Sequence, residues 1–510
     1  ETWVKISPDL TTNDPTKLNQ EESGGLSRDN SGAENYCTLF TITESPLDEN
    51  IIWAGSDDGN VQVTRDGGKT WTNVVANVSG LPKNTLVHHI EASVFGKGTA
   101  YVTFEGHMKG DFNTYVYKTT DFGATWTSLV TPDITGFARN VQEDYENQNL
   151  LYLGTETGLF ITIDGGKSWL KFTNNMPAVP VHFIDLHRKT NDLVLATHGR
   201  GIIIIDDISP LRQLNEQSMS QELYFFKTRP TVISEANGFG GTATETQFVG
   251  ANPTSAARII YHLKRRHNLG KMTLEIRDRE GNVLTELSPG KSKGINVVEW
   301  NYTIKPPKVA IGKTFSFGGF TSPRVPAGTY QVVIQKGKDT YTNDLVIEYD
   351  SKSEISLADR KASEETTAKL YKMNQELAYL VFEMDELTKV AEGVKATGKA
   401  GEKAATPFIG ETAKLKETLV VMKGDNYVGA AEPQLREKLA DLYSKVASSF
   451  YKPSKAELDN FEALDVRFAQ GKADFKKIKE KHFPKVTRML SKDKVSPVTI
   501  KSYEEFVKTP

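Results

Sequence analysis

TRDGGKTW at residues 64–71 decides how this chain is read, because it returns twice in altered form, as TTDFGATW at 119–126 and TIDGGKSW at 162–169. The shared aspartates, Asp66, Asp121 and Asp164, stand 55 and 43 residues apart, close to the length of one four-stranded propeller blade. Each copy has the chemistry of a strand-turn-strand staple. A β run enters, Asp and Gly make a tight turn in which the carboxylate accepts backbone N–H bonds, Gly supplies positive φ, and Trp restarts a strand facing the core. The three aspartates therefore read as turn residues and not as catalytic acids.

Working outward, four blade-like units are expected within residues 1–212. Their inner strands are predicted at 36–44, 87–93, 138–143 and 181–186, and their second strands at IIWAGS, TAYVTF, NLLYLGT and DLVLATHG. The fourth unit ends GIIIIDDISP, keeping its strands and losing the box. A polar stretch at 9–35 reads as a long surface connection. ETWVKISPDL at residues 1–10 reads as the last strand and exit of a blade. Together with the small number of blades, that predicts an upstream segment or second chain that completes the propeller.

Blade order fixes which residues share a face. If the box turns lie at one end, the turns between second and third strands and the entries to the inner strands lie together at the other. That end collects Asp57 and Asp58 from SDDG, Glu156 from TETG, His198 and Arg200 from THGRG, and His88, His89, Arg139 and His182 from the strand entries. The expanded turn FEGHMKGDFNTY adds Glu105, His107 and Asp111, the best local candidates for a ligand or metal contact. Asp58, Glu105 and Glu156 are the candidate catalytic carboxylates. With no Gly-rich phosphate loop, Ser/His/Asp signature or Cys/His spacing in the sequence, no cofactor and no metal is expected.

The 510-residue chain is too long for one core, and about three domains are expected. A formal net charge of −3 gives no bulk pull toward nucleic acid or anionic membrane, so no nucleic-acid partner is expected. No apolar run reaches the length of a membrane span, and the first residues do not read as a signal peptide. The one cysteine, Cys37, excludes an internal disulfide and reads as a buried thiol in an apolar strand.

Residues 213–350 change to period-two apolarity from Gln247 onward, in ARIIYHLK, MTLEIRD, REGNVLTEL, INVVEWNYT, GTYQVVIQKG and TNDLVIEYD, which predicts one antiparallel β-sandwich with Trp300 and Tyr330 in its core. Residues 351–510 change again, to helical spacing. Leu370, Met373, Leu377, Leu380, Met384 and Leu387 form one apolar seam, and Leu435, Leu439, Leu442 and Val446 another. Leu458, Phe461, Leu464, Phe468, Phe475 and Ile478 form a third, less even one; Leu415, Leu419 and Met422 mark a shorter helix, and 393–405 a loop. An antiparallel bundle of three or four helices follows, with a lysine-dense end at 472–494.

The repeated motif resembles the Asp-box (BNR) signature Ser/Thr-x-Asp-x-Gly-x-Thr-Trp of sialidases, xyloglucanase-type glycoside hydrolases and sortilin-type receptors. DREGNVLTEL, GINVVEW and SPRVPAGTYQVVI resemble the immunoglobulin-like domain of flagellar hook-capping proteins. Across residues 1–350 the chain is similar to a bacterial family of Asp-box propellers, often called sortilin-like or "glycosyl hydrolase", on ISPDLT, GSDDGNVQVTRDGGKTW, KTTDFGATW and ATHGRGIIIIDDISPLRQL. The resemblance implies a β-propeller segment, an Ig-like sandwich and then the helical bundle. It implies a ligand-binding or scaffold protein that is periplasmic, on the cell surface or secreted, and that holds a protein or peptide partner, or an oligosaccharide, on the face opposite the boxes. The alternative it implies is an inverting, xyloglucanase-like glycoside hydrolase with two carboxylates, part of whose active site lies upstream.

Overall fold

The computed structural model describes residues 2–19, 35–235, 253–423, 431–492 and 500–508. Most of the polar connection at 9–35, the onset of the sandwich pattern at Gln247 and the last lysine of the 472–494 end, Lys494, lie outside them. The chain divides into two compact units, one built on residues 1–228 and the other on most of 229–510.

In the first unit four antiparallel sheets follow one another in sequence, the arrangement of β-propeller blades. The first is β1 (Leu39–Ser45), β2 (Asp48–Ser56), β3 (Val61–Thr64) and β4 (Thr72–Asn73). The second is β5 (Leu86–Ala92), β6 (Ala100–Gly106), β7 (Asp111–Thr119) and β8 (Thr127–Ser128). The third is β9 (Ala138–Glu143), β10 (Leu151–Thr155), β11 (Gly158–Thr162) and β12 (Leu170–Lys171). The fourth has three strands, β13 (Val181–His187), β14 (Asp192–Thr197) and β15 (Ile202–Ile205).

Alternation along the strands sends each blade's apolar residues into the gap shared with the next. Trp53 and Val63 meet Val87, Ile90 and Phe104 in the first gap, Tyr101 and Val116 meet Val141 and Leu153 in the second, and Tyr152 and Ile161 meet Ile184 and Leu195 in the third. Two glycines allow the close approach. A Cβ on Gly55 would stand 2.7 Å from Thr41 Cγ2 and 2.8 Å from Val87 Cβ, and one on Gly154 would stand 2.5 Å from the Val181 carbonyl.

The three Asp boxes are near-superimposable networks. In the first, Thr64 Oγ1 donates to Asp66 Oδ1 (2.8 Å) and accepts from Gly68 N (3.0 Å), while Thr70 donates its N–H (2.9 Å) and hydroxyl (2.7 Å) to the same carboxylate. Thr119, Asp121 and Thr125, and then Thr162, Asp164 and Ser168, repeat the pattern. Each carboxylate is consumed within its own hairpin. The second box places Phe122, not Gly, at a positive φ of 60°.

The boxes also tie blade to blade. A Cβ on Gly68 would meet Ile6, one on Gly123 Val74, and one on Gly166 Leu129. Val74 and Leu129 each follow the outer strand of the preceding blade, and Ile6 takes the same place on the first box, with its carbonyl accepting from Trp71 Nε1 at 3.1 Å. Cys37 departs from expectation. It is half-buried, precedes β1 and has a φ of +63°, because the chain turns there to bring Thr38 N onto Asp57 Oδ1 at 2.8 Å. After the fourth blade, helix α1 (Ser209–Arg212) is held by Arg212, whose Nε donates to both oxygens of the fully buried Asp144 at 2.9 Å; α2 (Glu216–Ser220) follows.

The remaining strands are β16 (Leu223–Phe225), β17 (Thr231–Val232), β18 (Ala257–Leu263), β19 (Met272–Arg277), β20 (Val283–Leu287), β21 (Gly294–Trp300), β22 (Gly328–Lys336) and β23 (Asp339–Glu348). They form a three-stranded sheet ordered β16-β18-β21 and a five-stranded one ordered β17-β23-β22-β19-β20. Trp300 and Tyr330 meet edge to face at 5.5 Å, both buried. The pairing is not wholly antiparallel: Thr231 and Val232 enter beside Ile347 and Glu348 in parallel.

The helices of the second unit are α3 (Leu357–Lys395), α4 (Lys399–Leu419), α5 (Leu435–Ser448), α6 (Lys455–Lys492) and α7 (Tyr503–Lys508). The two expected seams on α3 and α5 are buried throughout. The expected loop at 393–405 is instead the tail of α3, a short break and the start of α4, because alanines carry the helix and Gly401 packs against the Val394 carbonyl, where a Cβ would collide. On α6 only the centre of the expected seam is buried: Leu464, Phe468 and Phe475 are inside, whereas Leu458 is exposed.

Candidate functional site

Each inner strand of the propeller segment carries a β-bulge at the same register position. β1 passes over Phe40 between its pairs Leu39–Ser56 and Thr41–Gly55, and β5 passes over His88 between Val87–Phe104 and His89–Thr103. β9 passes over Arg139 between Ala138–Thr155 and Asn140–Gly154, and β13 passes over His182 between Val181–Thr197 and Phe183–Ala196. A bulge takes one side chain out of the alternation and re-aims it. Repeated in four successive blades, it presents Phe40, His88, Arg139 and His182 at one end of the sheets. The boxes are at the other end: Gly67 N donates to the Asn50 carbonyl at the start of β2 (3.0 Å), while Phe40 lies beside the end of that strand.

Arg139 is the centre of this end. Its Nη1 donates to Glu105 Oε2 at 2.6 Å and its Nη2 to Glu156 Oε2 at 3.2 Å, and the guanidinium lies 4.7 Å over the Phe137 ring. Glu105 is nearly sealed, with its side chain 3% exposed. It also takes His107 Nδ1 and stands 3.6 Å from His88 Nε2. Burial pushes the Glu105 carboxyl up, against the pull of Arg139 and His107. Burial, reinforced by the Arg139 charge, drives His88 down to about 4. His182 is lowered by the same two causes and stacks on His198 at 5.2 Å. Phe40 tilts against His88 at 5.5 Å, and His107 stacks on Phe137 at 5.0 Å. Among the described residues, Arg139 Nε and both ends of the fully buried Asn140 amide have no hydrogen-bond partner.

Of the residues expected on this face, Glu105, His107, His88, Arg139 and Glu156 form one connected cluster, and His182 and His198 form a stacked pair. The others are engaged elsewhere. Asp58 is buried; it accepts from Thr12 N and Oγ1, both at 2.6 Å, and from the Ser56 hydroxyl, and these donors outweigh burial to lower its pKa. Asp57 accepts from Thr38 N, and burial raises it. Asp111 accepts from Tyr115 OH at 2.8 Å and from Asn113, closing its own turn. His89 faces Phe183 at 5.9 Å and Glu91 at 3.9 Å. Arg200 is exposed in its hairpin. Among the described residues no group of three or more His, Cys, Asp or Glu side chains is placed to hold a metal ion, and no helix is long and apolar enough to cross a membrane.

Phe40, Phe137 and Phe183 were not singled out by sequence reasoning. For Phe40 the position alone was a signal, since Phe40, His88, Arg139 and His182 occupy one column when the inner strands are aligned, 48, 51 and 43 residues apart.

No protein-family model matches the chain, and no curated protein matches it. It is similar to solved β-propeller structures. YCF48 from Cyanidioschyzon merolae matches with 19% identity over 34% of this chain and 53% of its own, at a TM-score of 0.26. An auxiliary nutrient binding protein from Bacteroides thetaiotaomicron matches with 16% identity over 35% of this chain and 40% of its own, at 0.27. A GH74 enzyme from Niastella koreensis matches with 15% identity over 63% of this chain and 51% of its own, at 0.29. The chain thus spans about half the length, or less, of each of these proteins.

Proposed function

We propose that the propeller segment is a binding module which holds a protein or peptide segment on the bulge-lined end, as part of a periplasmic, surface or secreted protein. The observation that carries this reading is the position of Arg139 between Glu105 and Glu156, bonded to both. An inverting hydrolase needs two carboxylates with room for a water and a sugar between them; here a guanidinium occupies that place. What the end offers instead is a polar centre, Arg139 with Glu105 and Glu156, rimmed by exposed Phe112, Met108, Phe40 and Phe183. Aromatic rims around a charged centre suit peptide recognition. The two sheets that follow the propeller segment, read as an Ig-like module, and the helices add further surface for partners.

The second reading is a glycoside hydrolase, and the observation in its favour is Glu105. A carboxyl pushed up by burial is what a general acid requires, with the second carboxylate supplied from upstream of this chain.

The test is a peptide-display selection against the full chain, followed by calorimetry on Phe112→Asp and Phe183→Asp. Binding weakened about tenfold or more by both changes supports the binding reading. Release of reducing sugar from a polysaccharide panel, abolished by Glu105→Gln with no loss of folding, would replace it with the hydrolase.

A further inference from the structure

The second unit contains a cavity of about 370 Å³ between its five-stranded sheet and helices α3 and α5. Leu284, Val325 and Tyr330 form the sheet side, Ala368 and Tyr371 the α3 side, and Phe450, just past α5, the end. Its volume and apolar walls are those of a small-molecule site, in which a few polar groups fix orientation.

Four charged side chains reach it: Asp278, Arg324, Arg360 and Glu364. Three are already engaged. Asp278 accepts from Asn282 N at 2.7 Å and from Asn282 Nδ2 at 2.9 Å. Arg360 pairs with Glu235, donates to Ser353 Oγ at 2.6 Å and lies 4.2 Å over the Tyr349 ring. Glu364 takes the Tyr349 hydroxyl.

Arg324 is different. Its backbone is fixed by a bridge to Thr303 and by the bond from Val325 N to the Tyr302 carbonyl at 2.8 Å. Its guanidinium lies 4.0 Å over the Phe450 ring. Among the described residues it has no carboxylate partner, and burial depresses its pKa. A half-buried cation beside an apolar cavity, with no counter-charge of its own, is complemented by an anion that brings an apolar body.

We propose that this cavity binds an amphiphilic monocarboxylate, an alkyl or aryl acid, with its carboxylate on Arg324 and its hydrocarbon body against Tyr330, Ala368 and Tyr371. Asp278 and Glu364, on the same walls, repel a second negative charge and so select against dicarboxylates. The residues of this site all belong to the second unit.

The test uses the full chain and isothermal titration with octanoate, 4-phenylbutyrate, octanol and suberate. Octanoate is expected to bind at least tenfold more tightly than octanol or suberate. Arg324→Gln should weaken octanoate by about 10- to 100-fold, the loss of one charge-assisted hydrogen-bonded contact. Ala368→Trp fills the cavity while keeping Arg324, and should abolish binding with little change in thermal melting. Octanol binding as tightly as octanoate, no octanoate binding at millimolar concentration, or undiminished binding to Ala368→Trp would each overturn the proposal. The comparison of ligands on the unmodified chain decides the matter even if a variant fails to fold.

Discussion

Arg139 Nη1 lies 2.6 Å from Glu105 Oε2, so the bulge residue of one inner strand neutralises a carboxylate at the end of the preceding blade. Both members sit at register irregularities: β9 passes over Arg139, and β6 passes over Glu105 between its pairs Phe104–Tyr115 and Gly106–Asp111. With the Glu105 side chain 3% exposed, removing Arg139 takes away its guanidinium partner and leaves the buried carboxylate with only the imidazoles of His107 and His88 beside it. Arg139→Ala is expected to cost about 3–5 kcal/mol in urea unfolding, whereas the double change Arg139→Met with Glu105→Leu should cost far less. Equal losses in the two variants would show that the pair contributes through packing alone.

How much of this was legible in the sequence follows from the range of each interaction. The boxes are local: Asp66, Thr64 and Thr70 lie within seven residues, so the motif alone specified the hairpin and its network. The α3 and α5 seams were equally plain, because periodic apolarity and burial coincide there. The bulges were not legible, since a bulge is a relation between two strands and leaves no mark on one. His88, Arg139 and His182 were found through their position at strand entries; Phe40, at the equivalent place, was missed because an aromatic residue in an apolar strand gives no polar signal. The break between α3 and α4 was misplaced for a related reason: glycine suggested a loop, but Gly401 provides close packing against Val394.

The environment of His88 makes stability depend on pH. Burial first, and then the Arg139, His89 and His182 charges, lower its pKa from 6.5 to about 4. A lowered folded pKa means that protonation favours the unfolded chain. Stability is therefore whole above pH 6.5, falls between 6.5 and about 4, and loses nothing further from this group below that. The loss is on the order of 3 kcal/mol. His88→Phe, which keeps a ring against Phe40, should flatten the slope between pH 6.5 and 4.5 in chemical unfolding; an unchanged slope would assign it to another group.

The Asp boxes titrate lower. Hydrogen bonds from Thr70 hold Asp66 at about 2, and Thr125 lowers Asp121 in the same way. Because these folded values are depressed, the contribution is complete above the ordinary carboxylate range and disappears as pH falls through about 2. Asp66→Asn retains an acceptor but not the charge. Its acid-unfolding midpoint, followed by tryptophan fluorescence, should move to higher pH than that of the unmodified chain.

Close approach between blades gives a sharper steric test. Gly154 sits at negative φ where any L-residue is allowed, yet its Cβ would collide with the Val181 carbonyl at 2.5 Å and Val181 Cγ1 at 3.0 Å. Gly80 has a φ of +80° and open space around it. Gly154→Ala should cost about 1–3 kcal/mol through overpacking, and Gly154→Val more; Gly80→Ala should cost only about 1 kcal/mol of backbone strain. Equal losses at the two sites would mean that the third and fourth blades part easily.

The two outer faces of the segment give the last prediction. Among the described residues no strand is paired to the free side of β15, and its Ile202 and Ile204 are 70% and 56% exposed. Ile42 on β1 is 65% exposed. Apolar side chains at alternate positions of an unpaired strand form a template for further strands, as expected if an upstream segment or a second chain continues the propeller. The isolated chain should therefore self-associate with rising concentration in sedimentation velocity and should bind an apolar dye. Ile202→Lys with Ile204→Lys should suppress both without lowering the thermal midpoint, because neither side chain is part of a buried core. A chain that stays monomeric and leaves the dye unbound would show that these faces are stable in water as they stand.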